Sequence, residues 1–275
     1  MGVSSWFLNG LGAVRRLGAC ALAAGADLLF PRACAACDQA LSDPDAVFCI
    51  ECRATLQPLL RDQICPRCAL PATETQGLRR LQRGPQALSV CSACAMWPSA
   101  LVALHAPFEY GGALADAIVR SKWHARVDLL SPLARLLYPS LIAALARCDV
   151  VVPVPLHGQR LRQRGYNQAA VLAQAALRLL QPDQRRKMQP HWLLRLRPDP
   201  PARHASSADR ARRVHGAFAV AKSARVRGRR VLLVDDVVTT GATIGACTRA
   251  LQAAGANAVE AVALARVPTA SAPDR

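Results

Sequence analysis

The sequence predicts an α/β domain, a mostly parallel sheet flanked by helices, preceded by a small cysteine-rich module. Three observations carry this reading. Eight cysteines in the first hundred residues fall into four Cys-x2-Cys pairs. From Phe108 onward, apolar helical patterns alternate with short β-rich runs, which is the signature of βαβ units. The run Val231-Leu-Leu-Val234 is continuously apolar and ends in Asp235 and Asp236, as a strand buried on both faces of a parallel sheet would. At 275 residues, 52% of them hydrophobic, and with a mean hydropathy of +0.15, the chain is apolar enough to bury a core despite a formal charge of +17.

Residues 1–30 read as an N-terminal amphipathic helix leading into Pro31. Leu17 to Phe30 is broken by Gly18, Gly25 and Asp27 and falls short of the 18 or more apolar residues of a membrane span. Ala23-Ala24-Gly25-Ala26 imitates a signal cleavage site, but a cytoplasmic metal module directly downstream favours the helix. No membrane insertion is expected.

The cysteine-rich module covers 31–98. A Cys-x2-Cys turn points two thiolates at one ion, and two such turns complete a tetrahedral four-thiolate zinc site. Cys34/Cys37, Cys49/Cys52, Cys65/Cys68 and Cys91/Cys94 therefore make two structural zinc sites. Disulfide staples would not repeat so tight a spacing four times, and a redox Cys-x2-Cys usually occurs once. Sequential pairing gives two successive ribbons, each spacer forming a hairpin, with Gly77 to Pro85 as the tip of the second; a cross-brace of alternate pairs is the other arrangement. Full thiolate shells leave no open position for chemistry. Cys20, Cys148 and Cys247 read as small core residues.

The α/β domain covers 99–270. Ala113 to Trp123 is a helix with Leu114, Ala117, Ile118 and Ser121 on one face. Asp128 to Leu145 is another, with Pro132 in its first turn and a break expected near Pro139. Asp149 to Pro155 is a short strand that its prolines end. Leu156 to Gln168 is a basic loop, and Ala169 to Leu180 a helix. Gln181 to Ala211 is rich in Pro and Arg, and 181–215 is expected to be a flexible basic loop. Arg229 to Asp236 is a strand, Ile244 to Ala254 a helix capped by Gly255, and Ala258 to Ala265 the next strand.

The strand, the acidic pair and the loop Thr239-Thr-Gly-Ala-Thr243 form the most informative stretch. Ligands of open α/β sheets bind at the carboxyl ends of strands. A Thr/Gly loop running into a helix offers backbone N–H groups and hydroxyls to a phosphate monoester, and the helix dipole favours the negative charge. Gly241 permits a close approach that a side chain would block. Asp235 and Asp236 can accept from ribose hydroxyls while Thr239, Thr240, Gly241, Ala242 and Thr243 hold the phosphate. Neither a Gly-x4-Gly-Lys-Ser/Thr loop nor a Gly-x-Gly-x-x-Gly turn is present.

The string 231–243 resembles the 5-phosphoribosyl-1-pyrophosphate motif of type I phosphoribosyltransferases. Together with the four Cys pairs, Val152-Pro-Val-Pro-Leu156, Arg160 and Arg164-Gly-Tyr-Asn-Gln168, it resembles the ComF family of double-zinc-ribbon, phosphoribosyltransferase-like proteins across about 27–266. Asp27-Leu-Leu-Phe-Pro31, Tyr110, Lys122 and Gly216-Ala-Phe218 are also similar. The resemblance implies a type I phosphoribosyltransferase-like sheet, Asp235 and Asp236 as catalytic ribose ligands, and pyrophosphate near 156–168. There Arg160 and Arg164 are the leading charge partners and Lys122 a lesser one. Mg2+ would accompany the pyrophosphate, because magnesium prefers substrate phosphate oxygens and water. If active, the protein would be a pentosyl-transferring glycosyltransferase acting by electrostatic positioning rather than a covalent nucleophile. The chain departs from the family at Ser121-Lys-Trp-His-Ala125, Ala202, Ala205 and Arg213, on the acceptor side.

The charge is concentrated. Residues 120–230 hold 23 basic against 5 acidic groups. A pyrophosphate accounts for part of this, and so would a nucleic-acid backbone. The resemblance also implies a role in natural competence. Two readings stand: a phosphosugar-binding transferase, or a non-catalytic cytoplasmic accessory factor contacting single-stranded DNA or other competence proteins. The stretch has few stacking rings for the second: Trp123, Tyr138, Tyr166, Trp192 and Phe218.

Overall fold

The computed structural model describes residues 32–72, 78–80, 89–95, 97–124, 126–198, 214 and 216–268. The expected N-terminal helix, most of the second ribbon's tip and 199–213 lie outside the described residues.

The two ribbons come first, with sequential pairing. The first holds Cys34, Cys37, Cys49 and Cys52, the last pair flanking the start of a short helix α1 (Ile50–Ala54). Its spacer is irregular rather than the expected hairpin: the bridge Ala33–Ala40 encloses the first Cys pair, and Ala35 N donates to Val47 O at 3.0 Å across the spacer. The second holds Cys65, Cys68, Cys91 and Cys94, and its spacer is a hairpin of β1 (Leu78–Arg80) and β2 (Ser89–Cys91), antiparallel with Leu78 opposite Cys91. Between the ribbons the chain runs along the α/β domain: Leu59 N donates to Pro107 O and Glu109 N to Gln57 O, both at 2.9 Å.

The α/β domain follows as β3 (Leu101–His105), β4 (Phe108–Glu109), α2 (Gly112–Trp123), α3 (Leu130–Leu145), β5 (Val150–Pro153), α4 (Gly158–Arg164), α5 (Gln168–Arg178), α6 (Pro182–Arg185), β6 (Leu193–Arg195), β7 (Phe218–Val220), β8 (Arg230–Val234), β9 (Val237–Val238), α7 (Ala242–Ala253), β10 (Ala258–Val262) and β11 (Ala265–Arg266). The main sheet is all parallel, ordered β3-β10-β8-β5. Three of its strands continue past their ends into a second parallel sheet, β4-β11-β9.

Alternation along the central strands sorts the core. Leu232 and Val234 of β8 face α3 and α5, packing with Leu133, Leu137, Leu141 and Leu172. Val231 and Leu233 face the other way, toward α7, with Ile244, Cys247 and Leu251. Both faces being covered explains why β8 is an unbroken apolar run. Cys148 and Cys247 are buried core residues, as expected.

Three further expectations are corrected. The helix α3 passes through Pro139 without a break, because Leu137 and Leu141, two positions before and after it, are both fully buried in the same core. By length and composition Val127–Leu145 could cross a membrane, yet it lies across the sheet as a core helix. The basic loop 156–168 contains α4, opened by His157, whose Nδ1 accepts from Gln159 N at 3.3 Å, and closed by Gly165 at φ 82°. The 181–198 part of the supposed flexible loop forms α6 and β6, and β6 pairs antiparallel with β7; Leu193 and Phe218 are buried there, which holds the Arg-rich stretch in place.

Candidate functional site

The acidic pair leaves β8 at its carboxyl end. Asp235 N donates to Val262 O at 3.0 Å, which fixes the turn to the neighbouring strand. Asp235 Oδ1 accepts from Asp236 N at 2.9 Å, and Asp236 Oδ1 accepts from Val237 N at 2.8 Å. Asp236 Oδ2 meets Lys122 Nζ at 2.8 Å, from the last turn of α2. Burial, then the charge of Asp236, pushes the Asp235 carboxyl up to about 8, with Lys122 acting in the opposite direction. The pair can therefore present both a hydrogen-bond donor and acceptors to sugar hydroxyls.

The Thr/Gly loop connects β9 to the N-terminus of α7. Gly241, at φ 78°, takes the left-handed conformation that opens the helix, and Thr240 Oγ1 accepts from Ala242 N at 3.3 Å. The loop curves around the start of a twelve-residue helix whose first N–H groups have no intrahelical partner, the arrangement that suits a phosphate.

The basic segment meets the same end of α2. Tyr166 hydroxyl donates to Ser121 O, and Asn167 Nδ2 donates to Val154 O at 3.0 Å while its Oδ1 caps α5 at Ala170 N. The guanidinium carbons of Arg160 and Arg164 lie 5.9 and 5.4 Å from the centroid of the Trp123 ring, and Arg164 Nη1 donates to Gln168 Oε1 at 2.7 Å. Trp123 is 66% exposed. Lys122 is thus joined to the carboxylates and its sequence neighbour Trp123 to the two arginines. Among the histidines, His157 serves as a helix cap and His105 bonds Glu260 at 2.9 Å, so neither stands as a base in this site.

The eight thiols fit zinc. A Zn–S bond of ~2.3 Å in a tetrahedron sets sulfur atoms about 3.8 Å apart. Cys37–Cys49 and Cys65–Cys94 are at 3.8 Å, Cys91–Cys94 at 3.7 Å and Cys68–Cys91 at 3.4 Å. The first tetrad docks on α2: Arg120 Nη1 donates to Ala35 O and Ala36 O at 3.0 and 2.8 Å, and Thr55 Oγ1 accepts from Ala113 N at 2.9 Å, capping that helix from another module.

Sequence reasoning did not reach four residues that support the site: Thr55, Arg67, Trp97 and Arg266. Arg266 is fully buried, its Nε donating to Cys68 O at 2.9 Å and its Nη1 to Val238 O at 3.1 Å and to Thr239 O. The one legible signal was Gly241 itself, which marks a close approach without saying by what.

Comparison with known proteins finds two families along the chain. The double zinc ribbon domain matches residues 25–95, and the phosphoribosyl transferase domain matches residues 168–275. The chain is 30% identical over 208 residues to DNA utilization protein YhgH of Escherichia coli (strain K12), covering 74% of this chain and 84% of that protein. It is 33% identical over 159 residues to Competence protein F of Haemophilus influenzae, covering 56% and 68%, and 25% identical over 224 residues to Competence protein ComFC of Bacillus subtilis (strain 168), covering 77% and 80%.

Proposed function

Because the chain belongs to the ComF family, in which a double zinc ribbon precedes a phosphoribosyl transferase domain, we propose that it binds 5-phosphoribosyl-1-pyrophosphate with Mg2+ and acts in the use of incoming DNA. The observation that carries this reading is the carboxylate pair at the end of β8, met by Lys122 and followed at once by a left-handed glycine and a helix N-terminus. That order supplies hydroxyl acceptors, a cation and a phosphate cradle within one short stretch. The eight thiols need a reducing compartment to hold zinc, so the cytoplasm is the fitting location.

In this reading Asp235 and Asp236 hold the ribose hydroxyls, residues 239–243 take the 5-phosphate, and Arg160, Arg164 and Lys122 face the pyrophosphate. Mg2+ would be held by pyrophosphate oxygens and water, neutralising the leaving group. In the transfer the anomeric C–O bond breaks, pyrophosphate leaves with its electron pair, and the anomeric carbon bonds to a nucleophilic atom of an acceptor. Asp235 and Asp236 would favour the positive charge that develops on the sugar without forming a bond to it. Thermal stabilisation by Mg2+ with 5-phosphoribosyl-1-pyrophosphate tests the proposal. The shift should appear in wild type and vanish in Asp235→Asn/Asp236→Asn, and no shift in wild type would sink it.

A second reading has its own observation. An exposed indole with two guanidiniums against it is a stacking platform beside phosphate partners, as single-stranded nucleic acid requires. Fluorescence titration with a labelled single strand should then show affinity falling steeply with salt and weakening in Arg160→Ala/Arg164→Ala. A flat salt response removes it.

A further inference from the structure

We infer that the second zinc ribbon is a working part of the phosphate site: Trp97 and Arg266 are positioning residues that hold the 239–243 loop on a support set by the Cys65/Cys68/Cys91/Cys94 tetrad. The inference rests on the phosphosugar reading of that loop. It concerns how the loop keeps its shape.

Two separate contacts run from zinc ligands to the loop. The first starts at Cys94, whose carbonyl accepts from Trp97 N at 3.0 Å and from Arg67 Nη1 at 2.9 Å. Arg67, lying between the second ribbon's first two cysteines, also donates from Nη2 to Trp97 O at 3.0 Å and to Pro98 O at 2.7 Å. So fixed, the Trp97 indole lies against Gly241. A side chain begun at Gly241 would collide with Trp97 Cζ2 and come within 2.7 Å of Cη2 and 2.8 Å of Cε2. Pro98 follows along the same helix turn, its Cδ 3.6 Å from where a Gly245 side chain would begin. Gly241 is therefore needed for two reasons at once, its left-handed φ and the ring above it.

The second contact starts at Cys68. Its carbonyl accepts from Arg266 Nε, while Nη1 of the same guanidinium bonds Val238 O and Thr239 O, the residues that enter the loop. A rigid planar fork can span the knuckle carbonyl and the loop carbonyls together, and a lysine cannot. Both supports are buried or half-buried and both end on backbone of a zinc ligand. A knuckle closed by metal is stiff, so the loop inherits a fixed shape before any phosphate arrives.

The test uses the full zinc-loaded chain, with calorimetric titrations of ribose 5-phosphate and, separately, inorganic pyrophosphate into wild type, Trp97→Ala, Trp97→Phe and Arg266→Lys. Zinc content and the ligand-free melting temperature are measured alongside. Trp97→Ala and Arg266→Lys should weaken ribose 5-phosphate by about tenfold or more, a loss expected of a site displaced by a fraction of an ångström, while pyrophosphate affinity and two zincs per chain are retained. Trp97→Phe, which keeps a ring over Gly241, should recover most of the affinity. In wild type, ribose 5-phosphate should change indole emission, and the change should be lost in Trp97→Phe. Failure of wild type to bind ribose 5-phosphate overturns the phosphosugar reading and this inference with it. Binding by wild type with equal affinity in Trp97→Ala and Arg266→Lys overturns this inference alone. A parallel fall for both ligands marks general damage and also overturns it. If Arg266→Lys or Trp97→Ala does not fold, an emission change present in Trp123→Phe that persists in Trp97→Phe/Trp123→Phe decides against the inference.

Discussion

Lys122 Nζ lies 2.8 Å from Asp236 Oδ2, so a helix capped by the first ribbon delivers a cation to the strand that ends in the acidic pair. Burial and the neighbouring charge of Asp236 discourage ionisation of Asp235, against the opposing pull of Lys122, so Asp235 holds its proton well above the usual carboxylate range.

That proton has a stability consequence. Asp235 is raised from its ordinary 3.8 to about 8, so between those values the folded chain keeps a proton that the unfolded chain has lost. Stability falls as pH rises across that window. Asp235→Asn keeps an oxygen to accept from Asp236 N and cannot ionise. The ligand-free variant should melt above wild type at pH 8, with the margin shrinking toward pH 4; scanning fluorimetry reads this, and identical curves at both pH values would contradict it.

Glu260 behaves in the opposite sense. It lies buried in the middle of β10, where His105 Nε2 is 2.9 Å away and Arg147 Nε and Nη2 are at 2.9 and 2.6 Å. Burial would raise its pKa, but the bonds from His105 and Arg147 outweigh it and bring the carboxyl down to about 2. Its contribution is complete above pH 4.5 and is lost as pH falls toward 2. Glu260→Gln should cost on the order of 3 kcal/mol in urea unfolding at pH 7. The cost should be clearly smaller at pH 3, and a pH-independent difference would refute the assignment.

The two zinc sites should differ in lability. All four thiols of the second tetrad are buried, whereas Cys37 is exposed and Cys52 is half-buried in the first. Challenge with a chromogenic chelator should release zinc in two steps of one equivalent, the first step absent in Cys37→Ser. A single step releasing both ions would show that the ribbons share one opening event.

The main features were legible where a residue's chemistry is local. Four repeated Cys spacings, an unbroken apolar strand and an acidic pair before a Thr/Gly loop each name their own surroundings, and the tetrads and β8 follow them. Pro139 misled because a missing hydrogen bond costs less than uncovering Leu137 and Leu141 would. The 181–198 stretch misled because composition registers the arginines but not that Leu193–Arg195 pairs with Phe218–Val220, which buries Leu193 and Phe218. Trp97 and Arg266 were hidden for a different reason: their partners, Gly241 and Cys68, are 144 and 198 positions away, and no spacing rule spans such distances.

The bond from Arg266 to Cys68 also sets an order of events during synthesis. The ribbons leave the ribosome first and can take up metal while the sheet is still being translated. The strand that closes the loop's support, β11, emerges after nearly everything else it touches. Contacts this far apart in the chain form late and slowly. Metal uptake can therefore precede the final bracing of the 239–243 loop, so a nascent chain interrupted before residue 266 would keep the Trp97 contact and lack the Arg266 one.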